Sequence, residues 1–220
     1  MRLPLAVLVT FVGSCVAANA QSPQGGTFTP SRGYVEVVAQ SAFGNVTSQA
    51  YGVEAGYNLQ PDVRVFVEVT RVRNVAPDAL STNAAAIAAF LADTQGGGAG
   101  YTAKEPVTTG LAGIQYEFPT ESGKVFPYVM AGAGIAHLTR DVSFTVAGAD
   151  VTGTLPQLGV VLGSDLSGSS SRAMLQFGAG IFWPAYKALL IDFQLRYGRI
   201  FGEESGINVG RAGIGIGVRF

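Results

Sequence analysis

The feature that most constrains the fold is a two-residue alternation that recurs in eight segments of the chain. In VRVFVEV, residues 63–69, every second residue is a valine, while arginine, phenylalanine and glutamate fill the positions between. Such alternation indicates β-strands, because successive side chains of a strand point to opposite faces. The alternating segments cover residues 32–41, 49–59, 62–73, 106–118, 124–144, 171–183, 188–201 and 207–220.

The two faces of these segments differ in a way that is unusual for a soluble protein. One face is continuously apolar, and the other carries glycine with isolated polar or charged residues, as in GRAGIGIGVRF at 210–220. A soluble sandwich would place large apolar residues inside and many charged residues outside, whereas only 13% of this chain is charged. The small, polar face therefore predicts a cramped interior. The apolar face predicts contact with lipid, and segments of about ten residues suit tilted membrane-crossing strands.

The connections between segments alternate in length. Residues 58–62, 119–123 and 184–187 are tight turns, whereas the intervening connections include two long loops, 74–105 and 145–170. Short periplasmic turns and longer outer loops are typical of transmembrane barrels. The sequence therefore predicts an all-β fold: an eight-stranded antiparallel up-and-down transmembrane β-barrel with a short helix in one extracellular loop.

That helix is predicted over residues 78–95. Its apolar residues recur at helical spacing, and they are Leu80, Ala84, Ile87, Ala88 and Leu91. We expect the stripe to rest on the barrel rim or in the lipid headgroups, with partner binding or plugging of the mouth as the alternative. The second long loop, 145–170, is either flexible or extends its neighbouring strands as a hairpin.

The first twenty residues have the organisation of a secretory signal peptide. Arg2 precedes an apolar run, and Ala18-Asn19-Ala20 forms a small-x-small cleavage site. The predicted organisation is a signal peptide at 1–20, a short N-terminal periplasmic segment at 21–31 and a barrel domain at 32–220. The single cysteine, Cys15, follows Val-Gly-Ser, which loosely resembles a lipobox, so lipidation of Cys15 stays open as an alternative to its removal.

Three stretches carry a resemblance to a known family: YGVEAGYNLQPDVRVFVEV (51–69), PYVMAGAGIAHL (127–138) and GIGIGVRF (213–220). The pattern resembles the small eight-stranded outer-membrane β-barrels of Gram-negative bacteria, of the OmpA-like type often grouped in a porin family. The resemblance implies a location in the outer membrane of the cell envelope, with lipid and lipopolysaccharide as partners. It also implies that the barrel-assembly machinery recognises the last strand through Phe220.

The interior is where charged side chains need partners. An eight-stranded barrel is just wide enough for its side chains to fill, and buried charges are costly unless paired. We therefore predict a network of Arg–carboxylate pairs, with a narrow ion pathway as the open alternative. The inward charged residues are Glu36, Glu54, Arg64, Glu68, Glu117, Asp192, Arg196, Arg211 and Arg219.

Aromatic residues near the strand ends suggest an interfacial girdle. Its predicted members are Tyr57, Tyr116, Phe118, Tyr128 and Trp183. Catalytic residues, metal ligands and cofactors are not predicted: the lone His137 is followed at the second position by Thr139, whereas lipid A deacylase barrels carry serine there. A net charge of −1 gives no basic patch for nucleic acid.

These features predict a non-enzymatic, monomeric outer-membrane protein with a structural or surface-interaction role. Loops 74–105 and 145–170 are the predicted contact surface for an extracellular ligand. A narrow porin-like channel for ions or small solutes is the first alternative, and an outer-membrane lipid-modifying enzyme is the second.

Deletion of Phe220 is expected to reduce insertion of the barrel, because the resemblance assigns the terminal aromatic to the assembly signal. The measurement is the fraction of exported chain that shows heat-modifiable gel mobility, with Phe201→Ala as an aromatic control. Equal insertion of the deleted and full-length chains would remove this role from Phe220.

Overall fold

The computed structural model describes residues 32–120, 124–202 and 206–220. The predicted signal peptide, Cys15 and segment 21–31 lie outside the described residues. The elements are β1 (Gly33–Phe43), β2 (Ser48–Asn58), β3 (Val63–Val72), α1 (Asp78–Gln95), β4 (Ala99–Lys104), β5 (Val107–Glu117), β6 (Phe126–Val146), β7 (Ala149–Asp150), a 3₁₀ helix (Thr152–Leu158), β8 (Gly168–Tyr186), β9 (Leu189–Ile200) and β10 (Ile207–Arg219).

Eight of the strands close into a barrel. They follow the order β1, β2, β3, β5, β6, β8, β9 and β10, every pairing is antiparallel, and β10 returns to β1. At this seam Gly33 and Phe220 exchange both backbone hydrogen bonds, each at 3.0 Å. The predicted all-β, eight-stranded antiparallel fold is confirmed, and its register places Glu36 opposite Gly217.

The outer face of the wall is apolar and exposed. Val37, Leu195 and Ile216 are 62%, 57% and 53% exposed, whereas neighbouring residues of opposite parity such as Glu36 and Arg196 are 1% exposed. The alternation in the sequence therefore divides an apolar exterior from a polar interior. Among the described residues, the helices are too short or too polar to cross a bilayer.

The long connections build a separate layer above one end of the barrel. Beyond Arg140, β6 leaves the wall, and its residues 141–146 pair with β4 and β7. We call this layer the cap: α1, β4, residues 141–146 of β6, β7 and the 3₁₀ helix. The end that carries it is the cap end, and the opposite end is the short-turn end.

The cap has an apolar core of its own. Helix α1 has the predicted bounds, beginning after Pro77 and ending before Gly96, which has the left-handed conformation (φ 65°) that glycine adopts easily. Its stripe is buried against Val142, Phe144 and Leu155. The expectation that the stripe rests on the rim or in lipid is wrong, because β6 continues past the wall and offers an apolar partner. Strand β4, inside loop 74–105, was not predicted.

Phe144→Ala is expected to loosen the cap while the barrel stays folded. Phe144 is 0% exposed in the cap core, and loss of a buried phenylalanine costs about 3–5 kcal/mol. The measurement is limited proteolysis of the detergent-solubilised chain, which should cleave within 147–167 while gel mobility stays heat-modifiable. Phe90→Ala is the control, because Phe90 is 47% exposed on α1. Equal protease resistance of the Phe144 variant and the unaltered chain would contradict a cap core that depends on this ring.

Candidate functional site

Two buried ion pairs cross the interior of the barrel. Glu54 and Glu68 are register partners on β2 and β3, and Arg196 and Arg211 are register partners on β9 and β10. Arg196 Nη2 lies 3.0 Å from Glu54 Oε2, and Arg211 Nη2 lies 2.8 Å from Glu68 Oε1. Like charges therefore stand side by side on adjacent strands, and each is compensated from the opposite wall.

Neutral polar side chains add hydrogen bonds to these pairs. Glu68 also accepts hydrogen bonds from Thr70 Oγ1 at 2.7 Å and from Gln176 Nε2 at 2.9 Å. Arg211 also donates to Gln176, and the hydroxyl of Tyr34 donates to Glu54. Both carboxylates therefore accept hydrogen bonds from neutral groups as well as from their arginines, which helps to accommodate the charges away from water.

Two of the predicted interior acids lack an arginine partner among the described residues. Glu36 and Asp192 instead share the amide of Gln194, whose Nε2 lies 2.6 Å from Glu36 Oε1 and 2.6 Å from Asp192 Oδ2. Asp192 Oδ2 also accepts a hydrogen bond from the Tyr128 hydroxyl at 2.8 Å. The structure thus extends the predicted Arg–carboxylate network with glutamine and tyrosine, which were not predicted to belong to it.

The assignment of Tyr128 to the interfacial girdle is wrong. Tyr128 is 1% exposed and stacks on Phe182 inside the barrel, with ring centroids 4.6 Å apart. The reason is strand parity, since Tyr128 shares the inward face of Met130. The remaining girdle residues have exposed side chains at the short-turn end: Tyr57, Tyr116, Phe118 and Trp183, joined by the terminal Phe220.

The last three predicted interior charges lie near the short-turn end. Arg64 Nη2 is 3.0 Å from Glu117 Oε2, and its guanidinium carbon lies 5.0 Å from the ring centroids of both Tyr34 and Phe182. Arg219 is at the rim and donates to the backbone oxygen of Lys187 at 2.9 and 3.1 Å. These groups line a rim cavity of about 270 Å³.

Apolar layers lie on both sides of the ionic layer. Toward the short-turn end the packing residues are Tyr34, Phe66, Tyr128, Met130, Phe182 and Leu190. Toward the cap end a larger cluster fills the interior, with Leu111, Leu138, Met174 and Ile200 each 4% exposed or less. A permeating ion would have to displace packed apolar side chains as well as break the ion pairs.

A polar cavity of about 410 Å³ lies at the cap end, between the barrel mouth and the start of α1. Glu105 lines it and is held by Arg140, with 3.2 Å between Arg140 Nε and Glu105 Oε1. Burial raises the pKa of the Glu105 carboxyl above its ordinary value, although Arg140 opposes this shift. Arg172, Asn83 and Asp165 also face the cavity, so its lining can accept and donate hydrogen bonds.

His137 lies on the outer face of the wall, at the cap end of the apolar band. Its Nδ1 atom is 3.0 Å from Ser171 Oγ on the adjacent strand β8. Sequence spacing had allowed a comparison only with Thr139 along the same strand. The contact with Ser171 depends on the pairing register, which sequence spacing does not reveal.

Solved structures resemble this arrangement. Neisserial surface protein A is 17% identical, with 86% of this chain and 96% of that chain covered and a TM-score of 0.52. The fold is that of an outer-membrane β-barrel. A major outer membrane protein from Thermus thermophilus is 12% identical, with 86% and 99% covered and a TM-score of 0.54. Ail, the attachment invasion locus protein of Yersinia pestis, is 14% identical, with 86% and 96% covered and a TM-score of 0.46. No protein-family model and no curated protein sequence matches the chain.

Arg211→Met is expected to destabilise the barrel by about 3–5 kcal/mol, because it leaves Glu68 ionised and buried without its cation. Adding Glu68→Met should recover most of this loss, since no unpaired charge then remains. The measurement is the denaturant midpoint of the detergent-folded chain, followed by heat-modifiable mobility. The exterior Arg71→Met should stay within about 0.5 kcal/mol. An unchanged midpoint for Arg211→Met would show that Glu68 does not depend on this arginine.

Proposed function

We propose that this chain is an OmpA-like outer-membrane protein with a closed interior, which anchors its cap at the cell surface for contact with an extracellular ligand. The single observation that carries this proposal is the filled interior, where buried ion pairs span the barrel between two apolar layers. The exposed apolar wall supports placement in a membrane. The cap, which packs around its own core, supports a function in the cap itself.

The proposed placement also defines the partners. The apolar wall would contact outer-membrane lipid and lipopolysaccharide, the barrel-assembly machinery would insert the chain, and the folded protein would act as a monomer. Closure of the sheet supports a monomer, because the eight barrel strands pair among themselves and leave no wall edge for another copy. The polar lining of the cavity beneath α1 supports a small hydrophilic ligand there.

Cell-surface exposure of the cap can be tested with an engineered protease site. A recognition sequence inserted at Gly163, in the connection between the 3₁₀ helix and β8, should be cleaved by protease added to intact cells. The same sequence placed in the short turn at Pro61 is the control and should be cleaved only after the membrane is breached. Resistance of the Gly163 site on intact cells would contradict surface exposure.

The closed interior predicts that the chain does not conduct. Purified protein in planar bilayers should give no steady single-channel steps, and deletion of residues 78–95 should not open it, because the apolar layer below the mouth remains. A conducting porin in the same membrane checks that insertion is detectable. Steady conductance of the unaltered chain would instead favour the porin-like function.

A lipid-modifying enzyme is the second candidate, and the His137–Ser171 contact favours it. A serine–histidine mechanism also requires a group that orients the histidine, and in the described ranges no carboxylate hydrogen-bonds to His137. We therefore propose a non-enzymatic role. Release of acyl chains from purified outer-membrane lipid that is lost in Ser171→Ala would establish the enzyme instead.

A further inference from the structure

Three cations lie together on the outside of the wall. Along the outward face of β3, Val67 and Val69 are 57% and 44% exposed, and the next two residues of the same parity are Arg71 and Arg73. Register places Arg71 beside the exposed Tyr51 on β2 and beside Thr108 on β5. The arginines therefore stand where the apolar band ends, at the cap end, and Lys104 of β4 joins them.

These side chains line one surface recess of about 680 Å³. Gln49, Ser48 and Tyr51 line it with the three cations. The recess thus combines positive charge and hydrogen-bonding groups with a position directly above exposed valines.

The recess cations differ from the interior arginines in the groups that balance their charge. Arg71 donates to Thr108 Oγ1 at 3.4 Å and Arg73 to Gln49 Oε1 at 2.9 Å, both neutral acceptors. Within residues 32–120, 124–202 and 206–220, neither arginine nor Lys104 forms an ion pair, although Asp141 is the register partner of Lys104. In the interior, by contrast, a carboxylate partner lies beside each of Arg64, Arg196 and Arg211.

Charge and position together select the class of ligand. Guanidinium groups form strong paired hydrogen bonds with phosphate, and lysine adds a point charge. Cations just outside the hydrocarbon region attract anionic headgroups. A phosphorylated lipid also places its acyl chains on the valines below the recess, a contact that free phosphate cannot make.

We propose that Arg71, Arg73 and Lys104 bind the phosphate groups of a phosphorylated lipid in the outer leaflet. This inference rests on the proposed membrane placement and assigns the lipid contact to one side of the barrel. The wall there would hold a lipid against β2, β3 and β5.

The test compares lipids that differ only in phosphate. The detergent-folded full chain is titrated with diphosphorylated lipid A and with the same lipid after dephosphorylation, and retained lipid is measured by native mass spectrometry. The diphosphorylated lipid should be retained in preference. The triple variant Arg71→Gln, Arg73→Gln, Lys104→Gln should bind it roughly 100-fold more weakly, at about a factor of five per cation.

Arg199→Gln is the matched control. Arg199 is an outward arginine near the same end, and like Arg73 it donates to an amide oxygen at 2.9 Å, here Asn208 Oδ1, but it lies outside the recess. Its replacement should change lipid binding less than about twofold, whereas Arg71→Gln alone should weaken binding roughly fivefold. Equal effects of the two single variants would overturn the assignment to the recess.

Four further outcomes separate the remaining possibilities. Equal retention of both lipids, or unchanged binding by a triple variant with normal heat-modifiable mobility, would overturn the recess while leaving the barrel function intact. Displacement of the lipid by equimolar inorganic phosphate would assign the recess to free phosphate and overturn the lipid. Failure of the unaltered chain to enter the outer-membrane fraction would instead overturn the proposed function.

Discussion

The structure depends on compensating charge inside a wall only eight strands wide. Arg196 and Arg211 are 1% exposed, and an ionised group at that depth is tolerated only when a counter-charge and further hydrogen bonds replace water. The register supplies the counter-charge by placing acids on β2 and β3 and arginines on β9 and β10. Each ion pair thereby links opposite sides of the barrel directly. Backbone hydrogen bonds connect the same two sides only through the strands between them.

The glycines follow from the same requirement. A Cβ atom at Gly178 would lie 2.7 Å from Arg196 Cδ, and one at Gly215 would lie 2.5 Å from a carboxylate oxygen of Glu36. The long charged side chains therefore occupy space that is available only because the neighbouring residues are glycines. The glycine alternation in the last strand reflects the space that interior polar groups on neighbouring strands need.

Alternation made most of the wall predictable, because strand parity decides the face of a side chain without knowledge of its neighbours. The alternation located all eight barrel strands. The nine charged residues assigned to the interior lie inside the barrel or at its short-turn rim. Partner choice could not be predicted, since it depends on the stagger between strands. Gln194 therefore joins Glu36 and Asp192, and His137 meets Ser171, without any sequence signal.

Two predictions made from the sequence, the face of Tyr128 and the docking of α1, were wrong for different physical reasons. Tyr128 was assigned from its proximity to a turn, although its parity with Met130 already pointed inward, so the information was present in the sequence. The information on where α1 docks was not present in the sequence, because periodicity identifies an apolar stripe but not the surface that covers it. That surface exists because β6 extends for 21 residues and carries Phe144 beyond the barrel.

The position of an arginine relative to the wall determines what can compensate it. Inside, the surroundings are fixed protein groups, so the partner must be encoded in the chain, as Glu68 is for Arg211. Outside, at the end of the apolar band, the surroundings are exchangeable, so the chain need not supply a carboxylate. The neutral contacts of Arg71 and Arg73 leave their charge available to an external anion. Identical residue types on the two faces therefore differ in role: the interior arginines join opposite walls, and the exterior arginines would hold a lipid at the site we propose.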